Sequence, residues 1–172
     1  MENKKYELLD NDTVTTWDGH ALKRIRALVA IGSLVAAGEL GGYIESEDNL
    51  SQVSGNAWVS GDARVYGDAR VYGNAQVYGD ARVYGDAWVS GDARVEQRRD
   101  IFWLSIIGSE NGTYTAFKNK DGGVSVNRGC FNGTLEQFSD AVNERHAGQY
   151  HQEYQLVIEL TKIRLGVIEE AV

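Results

Sequence analysis

From Val53 to Val95 the apolar positions recur every six residues, as VSGNAW VSGDAR VYGDAR VYGNAQ VYGDAR VYGDAW VSGDAR V. Valine stands first in each of these seven hexads, Gly third, Asp or Asn fourth and Ala fifth. Within Ala-x-Val-x the residues alternate, so Ala and Val face one way and the intervening side chains face out. Gly-Asp or Gly-Asn then turns the chain, because both residue types tolerate the backbone angles of a tight corner. A unit this short cannot bury its own apolar side. The strict period therefore predicts a solenoid, each repeat covered by its neighbours.

The pattern is different on either side. Residues 1–43 read as an N-terminal β cap, with short strands at 6–9 and 14–17 and an Asp18-Gly19 turn into 21–28. Lys23, Arg24 and Arg26 form a basic cluster there, either a solvated strand edge or an anion-contacting patch. The solenoid is assigned to 44–96. Ile44 and Leu50 lie six apart and make an imperfect first coil, but the step from Leu50 to Val53 breaks the register. Residues 97–172 read as a C-terminal α+β domain that follows a charged linker, Glu96 to Asp100. Three strands (101–107, 113–117 and 124–127) make a meander punctuated by Asn111-Gly112 and Asp121-Gly-Gly. Thr134-Leu-Glu-Gln137 is a capping box opening a first helix, and a second runs over 150–165. The apolar arc of that second helix (Tyr154, Val157, Ile158, Leu160, Thr161, Leu165) is wider than one packed face needs.

Composition narrows the function classes. A net charge of −8 argues against duplex nucleic acid as a partner. A single Cys130 excludes an internal disulfide and fits a reducing compartment; it is expected to be a small buried apolar residue. No apolar run approaches the roughly 20 residues that span a membrane, so the chain reads as a cytosolic protein without membrane partners.

The repeats resemble the hexapeptide repeat, with an aliphatic residue first and a small residue fifth. That resemblance implies a left-handed parallel β-helix with three hexads per coil, so that residues 18 apart stack. The chain also resembles a family of phage- and prophage-encoded proteins through RIRAL (24–28), ELGGYIES (39–46), the VYGDAR-type repeats, IFWLS (101–105), GSENGTYTAF (108–117) and RGCFNGTLEQF (128–138). It implies a phage setting, in a host cytoplasm, and no particular chemistry.

Stacked this way, Arg64 and Tyr66 lie under Arg82 and Tyr84, and Arg70 and Tyr72 lie under Trp88 and Ser90. The third face carries Trp58 and Ser60, Gln76 and Tyr78, then Arg94 and Glu96. The candidate ligand residues are Arg64, Tyr66, Arg70, Tyr72, Arg82, Tyr84 and Trp88, since stacked Arg and aromatic side chains hold planar rings and phosphates. The same columns also suit packing between subunits, and the resemblance points to a homotrimer. Corner Asp and Asn are expected to bond their own corner backbone, with Ca²⁺ binding as the alternative. The histidines are His20, His146 and His151, none within the repeats. Hexapeptide acyltransferases use a His as general base, and the repeats supply none, so acyl transfer from acyl-coenzyme A ranks below ligand binding as the alternative. No catalytic residue, metal site or cofactor is assigned. The expected function is sequestration of a small anionic, nucleotide-like host molecule to counter host defence; a structural role or a host protein target is the third reading.

Overall fold

The computed structural model describes residues 3–53 and 55–167. It is mainly β, with a β-solenoid repeat region and two C-terminal helices. The chain opens with a hairpin, β1 (Tyr6–Thr15) and β2 (Ala21–Ala27), followed by β3 (Leu40–Ile44). The two strands expected at 6–9 and 14–17 are one strand carrying a bulge between Leu9 and Thr13. β2 is central, not an edge. Its basic residues pair across to β1, Lys23 with Asp10 at 2.7 Å, Arg24 with Asp12 at 2.6 Å and Arg26 with Glu7, so they form no free anion patch.

The hexads supply seven two-residue strands: β4 (Trp58–Val59), β5 (Arg64–Val65), β6 (Arg70–Val71), β7 (Gln76–Val77), β8 (Arg82–Val83), β9 (Trp88–Val89) and β10 (Arg94–Val95). They pair in parallel at a spacing of 18, β5 with β8, β6 with β9, and β4 with β7 and then β10. Ala57 to Ala93 and Val59 to Val95 fill the interior at every repeat, each at most 1% exposed. Every corner glycine from Gly55 to Gly91 has positive φ, 61–68°. The Asp or Asn after it does not, so glycine alone provides the left-handed turn.

The first coil is built differently. Tyr43 pairs with Arg64 and Leu50 with Val71, a step of 21 where later coils step by 18. Ile44 and Leu50 are therefore core residues of that coil, and three extra residues loop out after Leu50. Val53, the first residue of the first hexad, sits in this loop and is 84% exposed. Matched 3₁₀ turns close the two ends. At Glu47–Asn49, the buried Asn49 side chain accepts from Glu45 and Ser46 N–H and donates to the Gly67 and Ala69 carbonyls, at 2.9–3.2 Å. At Arg98–Asp100, the buried Asp100 accepts from Glu96 and Gln97 N–H at 3.1 and 2.9 Å. The expected linker is thus a cap that satisfies backbone donors which have no further coil to bond.

Beyond it lies a four-stranded antiparallel sheet, β11 (Ile101–Ile107), β12 (Gly112–Lys118), β13 (Val124–Arg128) and β14 (Phe131–Thr134), the last unforeseen from the sequence. Thr134 caps α1 (Leu135–Arg145) through the expected box: Thr134 Oγ1 accepts from Gln137 N–H, and Gln137 Oε1 accepts from Thr134 N–H. α2 (Gly148–Leu165) completes the module. Its core is built around aromatic rings, with Phe138 in ring contact with both Tyr114 and Tyr154. Ile101 and Phe117 belong instead to the solenoid core and plug its end. Asn127 fastens sheet to solenoid, donating to Trp88 O and Ser90 Oγ, both at 2.9 Å. Cys130 is exposed in the β13–β14 turn, because that turn projects from the sheet. No helix among the described residues is long and apolar enough to cross a membrane.

Candidate functional site

The outward columns stack as the period of 18 requires, but their side chains do unequal work. Gln76, Arg82 and Arg94 each reach back to a corner carbonyl of the coil below. Gln76 Nε2 donates to Asn56 O at 2.9 Å, Arg82 Nη1 to Asp62 O at 3.0 Å and Arg94 Nη1 to Asn74 O at 3.3 Å. These bonds staple successive coils. The corner residues contribute less than expected. Among the described residues none of the corner Asp or Asn side chains bonds its own corner, and only Asn74 accepts from a corner N–H, that of Asn56 one coil away at 3.1 Å.

Tyr66 and Tyr84 stack on each other at 5.1 Å and 8°. The N-terminal hairpin folds over Tyr66, placing Leu22 against it and the His20 ring 5.2 Å away, and Tyr43 of β3 packs there too, so that Tyr66 is only 3% exposed. Trp103 meets the Tyr84 ring edge-on at 4.8 Å. These two rings are therefore occupied by protein, and what remains accessible beside them is guanidinium.

Arg64, Arg82 and Arg98 gather on this side of the coil, two from stacked hexads and the third from the closing 3₁₀ turn. None of the three takes part in a salt bridge among the described residues. Burial, then the neighbouring Arg64 and Arg98, pulls the Arg82 pKa below its ordinary value. The Arg64 Nε is buried without a hydrogen-bond partner. Asp80 offsets the repulsion at Arg82 only in part; like charges held together are electrostatically unfavourable, and a bound anion would relieve them. Arg82 and Arg98 also act on the Tyr66 hydroxyl, whose pKa burial nonetheless raises.

The second face borders a cleft of ≈ 830 Å³ between the solenoid and the C-terminal sheet. Here Arg70 lies over the Trp88 ring at 5.5 Å, and Tyr72 meets the same ring edge-on at 6.3 Å. The Arg70 guanidinium has no hydrogen-bond partner among the described residues. Across the cleft Arg128 is tied down, its Nε donating to the Tyr154 hydroxyl at 2.8 Å and Nη1 to Glu110 at 3.2 Å. His20 reaches the cleft wall from the hairpin, its Nδ1 3.0 Å from both Glu45 carboxylate oxygens. That bond raises the His20 pKa. Burial pushes Glu45 up, but His20 and the Gly67 N–H, which donates to it at 2.8 Å, outweigh burial and hold it below the ordinary range. Asp48, Asp68 and Asp86 line the same cleft, which disfavours polyanions there. Among the described residues no group of three or more His, Cys, Asp or Glu side chains is placed to hold a metal ion.

A repeat of this length and regularity has known counterparts. Residues 51–91 match the YdcK β-solenoid repeat, in three overlapping segments at 51–67, 63–76 and 75–91. The YdcK-type repeat thus covers the coils that present Arg64, Arg70, Arg82 and Trp88, but neither the hairpin that carries His20 nor the turn that carries Arg98. No curated protein matches the chain in sequence. Sequence reasoning put the seven candidates on stacked positions, named His20 without placing it beside the coil, and did not single out Arg98 or Glu45. These reach the coil only through the folding of hairpin and turn over it, and no spacing encodes that.

Proposed function

We propose that the protein binds a small anion at Arg64, Arg82 and Arg98. The observation that carries this reading is three clustered guanidinium groups, one with a buried unpartnered Nε and none ion-paired among the described residues. The phosphate end of a nucleotide-like ligand provides the affinity through charge-assisted bonds, because the Tyr66 and Tyr84 rings are already engaged. The net charge of −8 repels long polyanions but not a small ligand held by local charge. In this reading the solenoid is the left-handed coil of the hexapeptide proteins it resembles, and the chain is a phage-type accessory protein that sequesters its ligand. Calorimetry against phosphate and against linear and cyclic nucleotides tests it. Saturable binding that disappears in the Arg64→Ala, Arg98→Ala double variant is expected; no binding at high micromolar concentration would overturn the proposal.

The His20–Glu45 pair favours a second reading. A carboxylate that orients an imidazole at a cleft wall is the arrangement of a general base, which suits acyl transfer from acyl-coenzyme A. Binding alone gives no turnover. Saturable acetyl-coenzyme A turnover lost in His20→Ala would move the assignment to this reading.

A further inference from the structure

We propose that α2 joins this chain to another copy of itself, the two helices running parallel. The helix is apolar on two opposite sides. Tyr154, Val157, Ile158, Thr161 and Leu165 are buried in the C-terminal core. Leu156, Leu160 and Ile163 form a second stripe that faces away, 72%, 41% and 75% exposed. At about 100° per residue the two stripes lie nearly opposite each other, so Leu156 and Ile163 of the outer one contribute little to packing within the chain, and Leu160 only in part.

The stripe has the spacing of a coiled-coil seam. Leu156 and Ile163 stand seven apart with Leu160 between them, the d-a-d pattern of a heptad, and Val167 continues it just past the helix end. The flanking charges select the partner and its direction. Glu159 occupies a g position and Arg164 the e position five residues later. In a parallel arrangement of identical helices, Glu159 of one copy faces Arg164 of the next. An antiparallel arrangement sets g positions against g and e against e, so in no register does it bring Glu159 opposite Arg164. Arg164 is exposed, without an ion-pair partner among the described residues, and the Glu159 side chain is 66% exposed despite its 3.5 Å contact with Lys162. Rotational symmetry about an axis along the helices produces the parallel arrangement and closes the assembly. Leu at an a position followed by Ile at d favours more than two strands, in keeping with the trimer expected from the sequence.

Light scattering on the full chain across a concentration series tests the inference. The wild type is expected to exceed the 19.0 kDa of one chain. Leu156→Glu with Ile163→Glu is expected to return it to that mass with an unchanged melting temperature, since neither side chain packs in the core. Glu159→Arg alone, and Arg164→Glu alone, should each weaken association about tenfold, and the double exchange should restore it. A monomeric wild type, or an assembly that survives the Leu156 and Ile163 changes, would overturn the proposal. Single charge changes without effect would overturn the parallel arrangement.

Discussion

The solenoid and the C-terminal module are held together by different material. The solenoid interior is Ala and Val repeated at each coil, whereas the module is packed on Tyr114, Phe138 and Tyr154. A narrow interior of small side chains has no slack volume, and each residue in it also covers a neighbouring coil. A core of large rings instead places much of its apolar contact in few residues. The solenoid is consequently broken by adding something, and the module by removing something.

The largest expected effect is a charge inside the coil. Val71→Asp or Ala69→Asp buries a carboxylate that has no partner, at a cost of several kcal/mol, comparable with the whole stability of a domain. Insoluble protein is expected, while Asp68→Asn at the adjacent exposed corner leaves solubility and melting unchanged. A soluble, folded Val71→Asp protein would show that the coil interior is not packed as described. Phe138→Ala should cost about 3–5 kcal/mol. Denaturant unfolding followed by Trp fluorescence, with Trp58 in the solenoid core, should show the module melting ahead of the coils. A single unshifted transition would count against separate cores.

The same contrast explains what was legible in the sequence. A strict period of six states which residues face inward, and the three hexads per coil implied by the resemblance to the hexapeptide repeat add which residues stack, so the Arg64–Arg82 and Arg70–Trp88 pairings followed from the two together. The first coil was half legible. The three-residue slip after Leu50 showed in the spacing, but only the fold reveals that Val53 leaves the interior. Contacts between regions left no local trace. His20 meets Glu45 across 25 residues, and Arg98 approaches Arg82 because a 3₁₀ turn closes the coil. Asp100 looked like part of a charged linker because a capping carboxylate and a solvated one read alike in a sequence. β14 was missed because the segment containing it, four residues long, ends in a helix cap.

Corner glycines sharpen the comparison within the solenoid itself. A Cβ on Gly73, at φ 67°, would lie 2.9 Å from Gly91 N of the next coil, whereas one on Gly91, at φ 61°, meets nothing within 4 Å. Gly91→Ala is expected to cost about 1 kcal/mol for its backbone angle alone, and Gly73→Ala distinctly more by chemical denaturation. Equal losses would show that the corners do not stack closely.

The hairpin over the solenoid adds a dependence on pH. The bond to Glu45, more than the nearby charges, raises the His20 pKa. The stabilisation this provides is complete below the unfolded value of about 6.5 and is lost as pH rises through the higher folded value. An NMR titration should place the His20 midpoint above that of a free imidazole, and Glu45→Gln should bring it down. A His20 midpoint unaffected by Glu45→Gln would separate the two residues.

The central claim is that a bound anion completes the arginine cluster of Arg64, Arg82 and Arg98 on the solenoid. Arg98→Glu tests this most directly, because Arg98 is exposed and its replacement places a carboxylate beside Arg82. Thermal melting of wild type and variant, each with and without phosphate, is the measurement. Without phosphate the variant should melt about 1–3 °C higher, since repulsion within the cluster is relieved. Phosphate should then raise the melting temperature of the wild type and not that of the variant. A variant that melts lower than wild type, or that keeps the full phosphate-induced rise, would contradict the account.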